Sequence, residues 1–198
     1  MTKIIYIVLI SLVVTSCQQS FTKEEKQVIC HEKTHTPFRV LQITNRKDSL
    51  FLRKQCKDIN IRKNDKELTH LIKRMRATLA AEDGVGIAAI QIGIARNLFL
   101  FQRIDKPGKP VEAAINPRII NHSPDTFCFE GDGCLSIPGI FGSSSRYTWI
   151  EVEYLDENGI KKQEKLSGYS RNSDFTGVIF QHEFDHLQGV LFIDKLCE

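Results

Sequence analysis

The strongest constraint on the fold of this 198-residue chain is a short run near its C-terminal end, Gln181-His182-Glu183-Phe184-Asp185-His186. It contains H-E-x-x-H, and two histidines four positions apart share a face when the backbone is α-helical. Phe175, Val178, Ile179 and Phe180 precede it, so this helix must be packed into a core. The pattern predicts a helix from about Ser173 to Leu187, stopped at Gly189. On it His182 and His186 can present their rings to one cation, with Glu183 beside them to handle a water proton. An isolated histidine on a helix is usually structural. The complete pattern in an apolar stretch favours a metal, but leaves the hydrolysed bond open.

A catalytic site of this kind needs three protein ligands and one open position. The metzincin continuation would put its third histidine at Phe192, which cannot bind a metal. A glutamate from a later helix is excluded as well, because the acids after His186 are Asp194 and Glu198, with no room for that helix. The third ligand must come from upstream. The best candidate is Cys134 in Gly131-Asp132-Gly133-Cys134-Leu135-Ser136-Ile137-Pro138-Gly139. A cysteine between glycines and a Pro-Gly turn can bring sulfur and backbone N–H groups close to an ion. Alone, a free cysteine is more often a small buried hydrophobe. Gly84-Val85-Gly86-Ile87-Ala88-Ala89-Ile90-Gln91 superficially matches a dinucleotide-binding G-x-G-x-x-A. That fingerprint requires a preceding strand, and an amphipathic helix precedes it here. A tight turn of small residues for close packing is the plain alternative.

That earlier helix is read from Asn64 and Glu67, a capping-box pair, followed by Leu68, Leu71, Ile72, Met75 and Leu79 on one stripe. Lys73, Arg74 and Arg76 fall off the stripe and read as a solvated face. Asn97 to Phe101 and Val111 to Ile115 read as short strands, and Trp149 to Leu155 alternates cleanly. Asn158-Gly159 signals a hairpin returning through Ile160 to Leu166. The expected fold class is α+β, with short, mostly antiparallel strands around a central metal-binding helix. A formal charge of +3, spread along the chain, gives no footprint for nucleic acid.

The N-terminus has its own signature. Lys3 is followed by an apolar run from Ile4 to Val14, broken only by Ser11, then Val14-Thr15-Ser16-Cys17. The run is far short of the ~20 residues of a membrane-spanning helix. It has a secretory layout, and V-T-S-C resembles the lipobox of bacterial lipoproteins. The expectation is a signal peptide over 1–16, acylation at Cys17, a polar tether over 17–36 and a catalytic domain over 37–198. The protein would then be membrane-anchored and face outside the cytoplasm, the alternative being a cytoplasmic enzyme.

Taken in order, Gly84 to Gln91, Asp132 to Ser136 and Gln181 to His186 resemble the peptide deformylases, whose motifs are G-x-G-x-A-A-x-Q, E-G-C-L-S and Q-H-E-x-D-H. The resemblance covers about residues 48–196. It implies that Cys134, His182 and His186 bind one divalent metal, ferrous iron before Zn2+, Ni2+ or Co2+. It makes Glu183 the general acid/base, with the Gln91 amide and the Leu135 backbone N–H as oxyanion donors. The substrates implied are N-formylmethionyl peptides or nascent chains, deformylated to formate and a free amine. Val85, Phe175 and Val178 are then candidates for the methionine pocket, and Gly86 and Gly133 for pairing with the peptide backbone; ordinary core packing explains these positions equally well. Two alternatives are a lipid-anchored formyl-peptide-binding protein without turnover and an H-E-x-x-H metallopeptidase.

The sequence departs from the family pattern at Asp132, where the family has Glu. In the family this acid can pair with an arginine, and Arg146 stands at the corresponding place. Because Asp is shorter, the expected pair is water-bridged or needs a closer loop. Of six cysteines, Cys30, Cys56, Cys128 and Cys197 are left without a role. In an oxidising compartment they could pair.

Overall fold

The computed structural model describes residues 20–197. The expected signal peptide and Cys17 lie outside the described residues. Its helices are α1 (Lys23–Cys30), α2 (Arg46–Leu52), α3 (Lys66–Ala81) and α4 (Thr176–Leu187). Its strands are β1 (Gly86–Ala88), β2 (Leu98–Gln102), β3 (Val111–His122), β4 (Thr126–Cys134), β5 (Ile137–Tyr147), β6 (Trp149–Leu155) and β7 (Lys161–Ser167). Five strands form an antiparallel sheet in the order β1-β2-β3-β6-β7, and β4 and β5 form a separate hairpin. The α+β class expected from the sequence is what the chain forms.

The sheet is covered on both faces, which explains why β2 reads as an unbroken apolar run. Leu98 and Leu100 face the α3 side with Leu71, Met75 and Leu79, while Phe99 and Phe101 face the α4 side with Val178, Ile179 and Phe180. Phe180 meets Phe99 and Phe101 edge-on, with centroids 4.8 and 5.3 Å apart. On β6 the expected alternation holds: Ile150, Val152 and Tyr154 are buried toward α4. The metal-helix candidate is thus clamped against a sheet.

Residues 20–36 do not form the tether expected of them. Phe21 and Ile29 are fully buried in the α3-side core, and Thr22 and Glu25 close a capping box on α1. The segment's polar composition concealed two apolar anchors. Arg74, expected on a solvated face, is buried and donates to the Val28, Ile29 and Thr36 carbonyls. It lies over the Phe38 ring at 3.6 Å, so it satisfies the orphan carbonyls at the end of α1. The N-cap of α3 also moves by one position. Asn64 is left-handed, with φ 58°, and Asp65 caps the helix by accepting from the Leu68 N–H at 2.9 Å. Glu67 pairs with Lys26 instead.

The stop at Gly189 is borne out in detail. Gly189 N–H donates to the His186 carbonyl at 3.1 Å and Val190 N–H to the Asp185 carbonyl at 3.0 Å, the Schellman pair of a left-handed helix end. Gly189 has φ 73°, and a Cβ there would stand 2.4 Å from the Arg53 carbonyl oxygen. Gly189→Ala is therefore expected to cost about 1–3 kcal/mol and to lower Tm by roughly 3–10 °C. An unchanged thermal transition would refute this account of the turn.

Candidate metal centre

β4 ends at Cys134, and α4 carries His182 and His186 one turn apart. Together these elements bring one sulfur and two imidazoles to a point. The three candidate ligand atoms lie within 4.8 Å of one another. Cys134 Sγ stands 3.2 Å from His186 Nε2, and the two rings are 5.1 Å apart. His182 Nδ1 is 3.0 Å from Asp132 Oδ1, so the carboxylate holds Nδ1–H and turns Nε2 toward the centre. His186 Nδ1 and Glu183 Oε2 are buried with no protein partner among the described residues. A thiolate with two imidazoles suits a divalent transition metal, so the residues fit the cation expected from the sequence.

Behind the centre runs a buried ionic chain. Asp132 Oδ2 accepts from Arg146 Nη2 at 2.8 Å and from the Ser144 hydroxyl. Arg146 Nη1 donates to Asp185 Oδ2 at 2.6 Å, and Lys195 Nζ to Asp185 Oδ1 at 2.6 Å. Arg146 is almost completely buried. No water bridge is needed to compensate for the shorter Asp132. In the β4–β5 hairpin Asp132 pairs with Gly142, which places Ser144 and Arg146 alongside it. Ser144, Asp185 and Lys195 were not singled out in the sequence. Only Asp185, inside H-E-F-D-H, stood within a motif.

Burial works against charge throughout this site. It pushes Glu183 up to about 7. It opposes charge on His182 too, yet the Asp132 carboxylate and Cys134 outweigh it and hold that ring well above the usual imidazole range. His186 is pushed down by burial and by His182. Asp132 stays below the usual carboxylate range in spite of its burial, because His182, Arg146 and Ser144 favour its charged form.

A cavity of about 290 Å³ opens onto these groups. Val85, Gly86, Gly133, Leu135, Phe175 and Val178 all line it, as do Gln91, Cys134, His182 and Glu183. His186 is sealed behind them. Gly84 to Gln91 is β1 followed by a 3-10 turn over Ala89–Ile92. There the Gln91 side-chain oxygen Oε1 accepts from Ala88 N–H at 2.8 Å, which aims its NH2 at Ser136 Oγ (3.2 Å) and Cys134 Sγ (3.6 Å). A Cβ on Gly86 would come within 2.4 Å of Glu183 Oε1, so only glycine leaves room for that carboxylate. Phe129, Ile179, Phe141 and Arg171 also line the cavity. The sequence carried no periodic signal for the hairpin that holds Phe129 and Phe141.

A family model described as polypeptide deformylase matches residues 40–198. The peptide deformylase of Thermotoga maritima is 42% identical over 145 residues, covering 73% of this chain and 80% of that protein. Its crystal structure superposes with a TM-score of 0.71 at 37% identity, over 83% of this chain and all of the other. A Met-Ala-Ser-bound peptide deformylase from Acinetobacter baumannii superposes with a TM-score of 0.70 at 27% identity, over 82% of this chain and 99% of that one.

Proposed function

The chain belongs to the polypeptide deformylase family, and from that premise we propose how its own residues divide the work. The protein is a metal-dependent hydrolase that removes the formyl group from N-formylmethionyl peptides and releases formate. The observation that carries the residue assignment is the convergence of Cys134, His182 and His186 at the end of a cavity that also holds Glu183.

Cys134, His182 and His186 would hold the cation, for which we propose ferrous iron. When bound, it supplies Lewis acidity and makes hydroxide accessible near neutral pH. Glu183 takes the proton of the attacking water on a carboxylate oxygen and passes it to the departing amine nitrogen as the formyl C–N bond breaks. The Gln91 NH2 and the Leu135 backbone N–H donate to the developing oxyanion. Because Ala88 fixes the Gln91 amide beforehand, little reorganisation is needed as charge develops. Val85, Phe175 and Val178 receive the methionine side chain, and the backbones of Gly86 and Gly133 pair with the peptide as a strand does. Met-Ala-Ser, bound in the Acinetobacter baumannii relative, is what deformylation of formyl-Met-Ala-Ser would leave. The test is formate release by the metal-loaded full chain from formyl-Met-Ala-Ser, with acetyl-Met-Ala-Ser as control. Formate from the formyl peptide and no cleavage of the acetyl peptide are expected. Binding without turnover would favour a binding protein, and peptide-bond cleavage a peptidase.

We also propose that Met1–Ser16 is removed, that Cys17 is acylated, and that the enzyme works outside the cytoplasm. Val14-Thr15-Ser16-Cys17 supports this. So does a disulfide joining Cys128 on β4 to Cys197 near the C-terminus, since such bonds persist in oxidising compartments. Cys30 and Cys56 remain thiols. With packing already begun at Ser20 and Phe21, the reach from Cys17 is three residue steps, roughly 10 Å. An acylated enzyme would therefore sit close against the bilayer. Cys17→Ala is expected to move the protein from the membrane to the soluble fraction and abolish its lipid-dependent mobility shift. Unchanged fractionation and mobility would refute the anchor.

A further inference from the structure

Arg171 lies in the segment between β7 and α4, on the wall of the cavity that holds Glu183 and Gln91. Its side chain sits against the edge of a stacked aromatic pair. The guanidinium carbon stands 5.5 Å from the centroid of Phe129 and 5.5 Å from that of Phe175, and these rings are stacked 5.8 Å apart. Nε donates to the Gly131 carbonyl at 2.9 Å. This bond ties the pre-α4 segment to β4 three residues before Cys134. The guanidinium is thus anchored at Nε and flanked on one side by the two rings. Among the described residues, no carboxylate pairs with its two terminal nitrogens, and the side chain is exposed at the cavity wall. Of the acids that line the cavity, Asp132 is committed to Arg146 and His182, Glu183 is buried beside the metal centre, and the exposed Asp83 makes no ion pair with Arg171 among the described residues.

A planar cation that is oriented but lacks a counter-charge is organised to take a carboxylate on its open edge. Three residues of strand cover about 10 Å, and an extended peptide advances about 3.3 Å per residue. A peptide that runs from Cys134 along β4 toward Gly131 would therefore bring its third residue to Arg171, which is bonded there. We propose that Arg171 is a specificity-determining residue that favours formylmethionyl peptides with a carboxylate at the third residue. That carboxylate is either the free terminus of a formylated tripeptide or an acidic side chain in a longer chain. The proposal rests on the deformylase reading and adds a substrate class to it.

The test uses the full-length, metal-loaded enzyme and formate release from formyl-Met-Ala-Ser, formyl-Met-Ala-Ser-amide and formyl-Met-Ala-Asp-amide. An exposed ion pair predicts KM about 1.5- to fivefold lower for a carboxylate-bearing peptide than for the Ser-amide. The ratio should shrink in high salt, approach one in Arg171→Gln and survive in part in Arg171→Lys. Preference for the free acid alone assigns the site to peptide termini. Preference for the Asp-amide assigns it to acidic side chains. Equal KM values on all three peptides in the unmutated enzyme overturn the proposal. So does an Arg171→Gln enzyme that loses kcat on every peptide but keeps the KM ratio, because that marks a structural strut. An unmutated, metal-replete enzyme that deformylates none of the peptides overturns the deformylase reading, and this inference with it.

Discussion

Glu183→Ala is expected to retain close to one metal ion per chain while losing activity by about 10²–10⁴-fold, the range for removing a positioned acid/base. Cys134→Ala is expected to do the reverse first: it should lose the metal, and activity with it. The geometry separates the two roles. Cys134 Sγ touches His186 Nε2 at 3.2 Å within the converging donor set. Glu183 Oε2 has no partner among the described residues, and its carboxylate is packed against Gly86. Metal content by elemental analysis, read beside formate release, checks both variants. Equal metal loss in the two would mean that Glu183 serves as a ligand and that the assignment of proton transfer to it is wrong.

The site was more legible in the sequence than the frame around it, and the reason is physical. His182, Glu183 and His186 are local on one helix, so their spacing alone states their geometry. Cys134 and Gln91 could be named because each stands in a compact motif. The hairpin that delivers Cys134 could not. Gly131, Gly133, Gly139 and Gly142, with Pro138 and the Ser143-Ser144-Ser145 run, give no strand periodicity. β4 and β5 are held instead by one another, by the Cys128–Cys197 bond, and by the C-terminal residues, where Cys197 N–H donates to the Ser143 carbonyl at 2.8 Å. Arg74 shows the same limit. Position on the helix places it off the apolar stripe, and only tertiary structure reveals that three carbonyls of α1 and its following turn await it. α1 itself was hidden because two apolar anchors, Phe21 and Ile29, were outnumbered by Lys, Glu and Gln.

Arg146 should be the most costly charged side chain to remove, even though it does not itself line the cavity. Arg146→Ala leaves Asp132 and Asp185 buried without their shared cation, a loss of about 3–5 kcal/mol. It should also loosen the metal, because Asp132 would no longer be held where it orients His182. Asp132→Ala removes the acceptor itself, and loss of such an outer partner typically weakens metal affinity by about 10–100-fold. If the two act through one chain, the double variant should cost clearly less than the sum, leaving a coupling energy of about 1–3 kcal/mol. The measurements are a denaturant midpoint and a chelator competition on each of the four proteins. Coupling in stability without coupling in metal affinity would confine Arg146 to holding the hairpin. Coupling in both would show that the shortened acid at position 132 works because Arg146 and Ser144 reach it directly.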